Sequence, residues 1–318
     1  MERLFSNKVE LKTDPEHFGE LTQSQSILDQ PELLRARMEK EGYLFFRGLL
    51  GRDEVLAARR EILLKYAIIG ELDATRPIDD AIHSRSDAIE KVNLRAFSQS
   101  LRDGLAYRRI IDHPKLLKVY EGLLEGEVRS FDFRWPRFVR PGEGCGIHCD
   151  GPYMNRGTER VFSSWIPLGD VAKHEGALMI LEKRDEHERL LQRYLAKDAD
   201  RDKIEWLSTN PVVLQEKFSG RWLSADFQAG DVLCFTMQTV HGALDNMSPI
   251  NKCRLSSDSR YQRTDEVFDE RWNGSDPEAH GYDKVFFPGL GQWRNRDFKD
   301  EWKPVDEHGR LRLDEEPQ

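Results

Sequence analysis

Cysteine is scarce: four stand in 318 residues, at Cys145, Cys149, Cys234 and Cys253, and no two form a CxxC pair. They are too few to staple a chain of this length, so we expect thiols in a reducing compartment that act as buried filler. Long apolar runs are also missing. Nothing approaches the ~20 apolar residues that a membrane-spanning helix needs, and the mean hydropathy is −0.67. The segment Met1 to Ser6 lacks the apolar stretch and small-residue cleavage site of a secretory leader, which points to a cytoplasmic location. A basic stripe is absent too. Lys and Arg number 48 against 57 Asp and Glu, a net charge of −9, and the signs are interleaved, so nucleic acid is not an expected partner. Neither repeats nor biased linkers break the chain. One domain across residues 1–318 is expected.

What is present suffices for a large core, since 38% of the chain is apolar. Asp29-Gln30-Pro31-Glu32 reads as a helix start with a capping carboxylate and an early Pro, and that helix should end near Gly42. Tyr43 to Phe46 reads as a buried strand. A second helix should open at Asp53, carrying Val55, Leu56, Ile62, Leu63, Tyr66 and Ala67 at helical spacing. Residues 70–110 suggest loops and short helices. Asp112-His113-Pro114 opens a helix through Leu124, stopped by Gly126. From Val128 the texture changes to strands: 128–139, 161–168, 176–181, 231–235 and 254–261 are rich in β-branched and aromatic residues between turn formers. A helical insert at 185–196 and a polar stretch to about Gly220 interrupt them. Helices first and strands second argue against an alternating α/β sheet. The expectation is a mainly β jelly-roll core over about 128–265, an N-terminal helical layer over about 29–126 and a C-terminal extension over about 266–318.

Of nine histidines, only His148 has a carboxylate two residues on, Asp150. With 57 acidic residues such a pair arises by chance, so its setting matters more than its existence. It follows Arg140-Pro141-Gly142 and a glycine-rich loop, and in extended backbone both side chains would share a face. His241, after the apolar run Val232 to Phe235, is the candidate third ligand. Two imidazoles and a carboxylate on one face of an octahedron leave three positions open, the arrangement of non-haem Fe(II) oxygenases. Zinc could use the same groups for hydrolysis. Arg254, thirteen residues after His241, could clamp a dicarboxylate through its fork of donors. Arg260 is its rival.

The ordered set Arg140-Pro141-Gly142, His148-Cys149-Asp150, Trp165-Ile166-Pro167-Leu168, Glu175-Gly176-Ala177-Leu178, Gly230-Asp231-Val232, His241-Gly242 and Arg254 resembles the phytanoyl-CoA dioxygenase family of Fe(II)- and 2-oxoglutarate-dependent oxygenases. Glu41 to Leu50 resembles that family's entry segment, and the likeness spans roughly residues 30–265. It implies a double-stranded β-helix with His148, Asp150 and His241 as ligands of Fe(II). Arg254 would hold the distal carboxylate of 2-oxoglutarate, and Trp165 would lie beside this co-substrate. O2 and 2-oxoglutarate would be consumed to hydroxylate a small-molecule substrate, releasing succinate and CO2. Arg134 and Arg140 are further candidates to meet an anionic ligand. Two departures stand out: Leu181 to Asp185 lacks the family's Pro-Gly-Ser-His-like turn, and Ala243 replaces a hydroxyl common two residues after the distal His. Related halogenases carry a small residue where Asp150 stands, which disfavours halogenation. A non-catalytic jelly-roll binding protein and a zinc hydrolase on the same ligands are the alternatives. The substrate, the oligomeric state and the roles of residues 70–110 and 183–220 are not legible in the sequence.

Overall fold

A computed structural model describes residues 3–274, apart from 87, 185–186 and 203–205, together with 277. Most of the expected C-terminal extension thus lies outside the described residues. The ribbon β1 (Phe5–Ser6) and β2 (Val9–Glu10) and the strand β3 (Phe18–Glu20) lead into α1 (Pro31–Glu41) and β4 (Tyr43–Phe46). Then come α2 (Arg52–Ile68), α3 (Leu94–Arg102), α4 (Leu105–Ile111) and α5 (Pro114–Leu124). The core strands follow: β5 (Val128–Ser130), β6 (Trp135–Val139), β7 (Cys145–His148), β8 (Phe162–Pro167) and β9 (Leu178–Leu181). Two helices, α6 (His187–Leu195) and α7 (Pro211–Phe218), precede β10 (Trp222–Ser224), β11 (Val232–Thr236), β12 (His241–Ala243) and β13 (Arg254–Arg263).

Two sheets face each other, as the jelly-roll expectation requires. One runs β4-β11-β8-β13-β5, with β6 also paired to β13; the other runs β3-β10-β9-β12-β7. The N-terminal helices cover the outer face of the first sheet, where Phe138, Ile166, Leu255 and Tyr261 join their apolar cluster. Tyr66 stacks on Phe138 at 3.9 Å and Tyr120 on Tyr261 at 4.2 Å. Tyr107 exchanges a 2.6 Å hydrogen bond with Ser257, and the Tyr120 hydroxyl donates to the Ser163 carbonyl. These contacts fix which face of β8 and β13 is left for the interior between the sheets.

Several expectations need correction. The expected strand 128–139 is two strands, β5 and β6, because residues 131–134 turn aside: Phe131 and Phe133 join Trp135 and Trp272 in a separate apolar cluster. Neither Asp29 nor Asp53 caps its helix. Gln30 and Gly51 occupy those cap positions without a side-chain bond; Asp29 instead approaches Lys118 at 3.6 Å and Asp53 lies in the first turn, where its charge suits the helix dipole. Helix α7 lies in the polar stretch before Gly220, for which the sequence predicts no element. Its Pro211 start is capped by Asn210, whose side chain accepts from Val212 and Val213 N–H.

Candidate active site

β7 and β12 are antiparallel neighbours, and their register sets His148 directly opposite His241. Directly paired residues project to the same side, so the two imidazoles meet with ring centres 4.3 Å apart. Asp150 arrives differently from the expectation. It lies beyond the end of β7 with helical φ −73° and ψ −23°, leading into a short 3-10 turn, so the turn and not strand alternation brings its carboxylate round. Oδ1 stands 3.6 Å from His148 Nε2 and 3.9 Å from His241 Nε2. Ligand atoms of all three lie within 4.8 Å of one another.

Hydrogen bonding fixes the tautomers. His148 Nδ1 donates to the Gly146 carbonyl at 2.9 Å and His241 Nδ1 to the Thr239 carbonyl at 3.0 Å, because a carbonyl can only accept. Both Nε2 lone pairs are thereby turned toward the carboxylate, the orientation that metal-binding histidines obtain from such partners. Burial, with His148 beside it, lowers His241 to about 4, so its imidazole is neutral and able to ligate at neutral pH. Burial alone would raise Asp150, but the Arg260 guanidinium beside it leads the opposing effects, and the carboxyl is held well below its usual range. Adjacent ligands about 2.1 Å from an ion stand roughly 3 Å apart. The two separations from Asp150 Oδ1 are little wider than that, and the donor set suits Fe(II).

Sequence reasoning missed what holds Asp150. Its second oxygen, Oδ2, accepts from Arg260 Nη2 at 2.7 Å and from the Ser163 hydroxyl at 2.6 Å. Arg260 is itself buried, lies over Trp135 at 4.4 Å, and has Nε and Nη1 with no partner among the described residues. Its charge is directed at the carboxylate. The signal was present in Arg254-x-Ser256-x-Asp258-x-Arg260, which alternation puts on one face of β13.

Arg254 shares that face. Its Nε donates to the Gly176 carbonyl at 2.9 Å and its Nη1 to the Ser256 hydroxyl at 2.6 Å. Burial lowers it to about 10, so it remains charged, and no carboxylate pairs with it among the described residues. Trp165 is fully buried, with the guanidinium of Arg254 5.9 Å from its ring centre. The structure does not bring Arg140 or Arg134 to this group. Arg140 holds the buried carboxylate of Glu71 at 2.7 Å, and Arg134 pairs with Asp112 at 3.2 Å. Three cysteines are buried and Cys145 is partly so; all four are free thiols, as expected.

The sequence matches the phytanoyl-CoA dioxygenase (PhyH) family over residues 38–253, about two thirds of the chain. The chain belongs to that family. It is therefore an enzyme, a dioxygenase that uses Fe(II), 2-oxoglutarate and O2. A 1-deoxypentalenic acid 11-beta-hydroxylase of Streptomyces exfoliatus is 25% identical over 248 residues, covering 74% of this chain and 82% of that one. The counterpart from Streptomyces arenae is 24% identical over 263 residues, covering 77% and 86%. Among solved structures, the epimerase SnoN of nogalamycin biosynthesis, in complex with Fe3+ and alpha ketoglutarate, matches with a TM-score of 0.51 at 18% identity. That match covers 82% of this chain and 94% of that one. At this identity the likeness establishes the shared fold.

Proposed function

We propose that this protein hydroxylates a small-molecule substrate, with Fe(II) held by His148, Asp150 and His241 and the distal carboxylate of 2-oxoglutarate held by Arg254. The observation that carries the reading is the convergence of three correctly turned ligand atoms, together with a buried arginine on the facing sheet that has no acidic partner among the described residues. A guanidinium taken out of water needs a countercharge, and Arg254 Nη2 has no hydrogen bond among the described residues. Arg260 is the poorer clamp because its one bonded nitrogen is committed to Asp150 and the other two are closed off from solvent.

When bound, iron with 2-oxoglutarate and O2 supplies the oxidant for C–H hydroxylation, with release of succinate and CO2. The chain's own residues do the placing. Gly146 and Thr239 carbonyls orient the imidazoles, and Ser163 and Arg260 occupy one carboxylate oxygen so that the other faces the metal. Ser256 and the Gly176 carbonyl aim Arg254, with Trp165 beneath it. Such preorganisation lets the reactive groups meet without reordering. Hydroxylation is also the activity named for the two Streptomyces relatives. The test is succinate formation from 2-oxoglutarate under air with Fe(II), in wild type and His148→Ala. Loss in the variant is expected; equal rates would reject His148 as a ligand. Stimulation of succinate release across a metabolite panel, followed by product analysis, would identify the substrate and the outcome at carbon.

A further inference from the structure

We propose that Trp206 is a shutter over the metal site, an indole that restricts access to the iron from the His148 side. The inference rests on the metal reading above. Trp206 reaches the site through a backbone contact along the free edge of the second sheet: Leu207 N–H donates to the Ile147 carbonyl at 2.8 Å, and Ser208 bridges to Ile147. The indole then lies with its ring centre 5.4 Å from that of His148, while Tyr153 meets the same imidazole edge-on at 6.1 Å. Space for it comes from one glycine. A Cβ on Gly146 would stand 2.2 Å from Trp206 Cδ2 and 2.3 Å from Cε2, distances no side chain can adopt. Gly146 has no positive φ, so room for the ring, not backbone freedom, is what requires a glycine there.

Elsewhere in the same region, Arg156 pairs with Asp198 and Asp200 at 3.0 Å each, and Arg271 pairs with Asp200 at 3.0 Å. A large flat ring placed against a candidate ligand by backbone pairing on its C-terminal side and by a glycine cradle is positioned more firmly than core filling demands. Trp206 is only partly buried. It presents apolar surface beside the metal, which suits a substrate with an apolar skeleton near its reacting carbon and hinders free entry of water.

Loading full-length protein with Co(II) and following its removal by EDTA through the cobalt visible spectrum tests this without knowing the substrate. In Trp206→Ala the rate of Co(II) loss should rise roughly tenfold, the scale on which groups around metal ligands act. Trp206→Phe should restore most of the protection. Succinate formation from 2-oxoglutarate with Fe(II) and no added substrate should change in the same order. Thermal unfolding of the metal-free variants separates shielding from packing. Rates of Co(II) loss that match wild type in Trp206→Ala overturn the proposal, as does acceleration in Trp206→Phe equal to that in Trp206→Ala. Failure of wild type to bind Co(II) would instead overturn the metal reading, and this one with it.

Discussion

Replacing Arg260 with Met tests the electrostatic support of the triad most directly. The side chain keeps an unbranched apolar stem and loses its guanidinium and charge. Arg260 and Asp150 are 2.7 Å apart with side chains 4% and 3% exposed, so neither can recruit water in exchange. Removing one partner of such a buried pair costs about 3–5 kcal/mol, because the other charge stays buried and uncompensated. The Ser163 hydroxyl still donates to Asp150, which favours the lower end. Loss of the contact over Trp135 adds up to about 2 kcal/mol, though the two losses share one group and do not simply add. At about 2–4 °C per kcal/mol for a domain of this size, the metal-free variant should melt roughly 10 °C below wild type. A divalent cation bound at the triad supplies Asp150 with a new countercharge, so saturating Co(II) should narrow that gap. Calorimetry of both proteins with and without Co(II) measures it. A metal-free variant melting within about 2 °C of wild type would refute the coupling, and so would a gap that Co(II) leaves unchanged. Arg3→Met, which breaks an exposed pair with Glu10, is the control and should leave the melting temperature unmoved.

Arg254→Met should raise the KM for 2-oxoglutarate at least tenfold, the scale of a charge-assisted contact of about 1.5–3 kcal/mol; Co(II) affinity without co-substrate should change little, as titration of each ligand would show. His241→Ala should abolish the visible charge-transfer band that anaerobic Fe(II) and 2-oxoglutarate are expected to give in wild type. His187 is buried edge-on against Phe218, and burial lowers its pKa below the usual 6.5. The unfolded chain therefore takes up this proton at a higher pH than the folded protein. Stability from the neutral ring is present above about pH 6.5 and fades as pH falls toward the lowered folded value. Between pH 7.5 and 5.5, His187→Phe should lose less stability than wild type in urea titrations; equal losses would exclude the histidine as a source.

Periodicity and punctuation made much of this protein legible from its sequence. The helical repeat from Val55 to Ala67 and the strand texture of 161–168 and 254–261 are local properties, written in neighbouring residues, and each has its counterpart in α2, β8 and β13. His148, Asp150 and His241 could be nominated because the ordered set around them was informative even where each spacing alone was not. Pairing decided the rest. Which residue faces His148 depends on the register of β7 against β12, and the sequence of neither strand contains it. The pairing of Asp150 with Arg260 and the room for Trp206 at Gly146 both arise between segments far apart in the chain. From the sequence Arg254 is the preferred clamp, with Arg260 its rival and Arg134 and Arg140 further candidates to meet an anion. Only the folded protein, by giving Arg140 to Glu71, Arg134 to Asp112 and Arg260 to Asp150, left Arg254 buried without an acidic counterpart among the described residues, because a charge removed from water takes its role from whatever the fold places beside it.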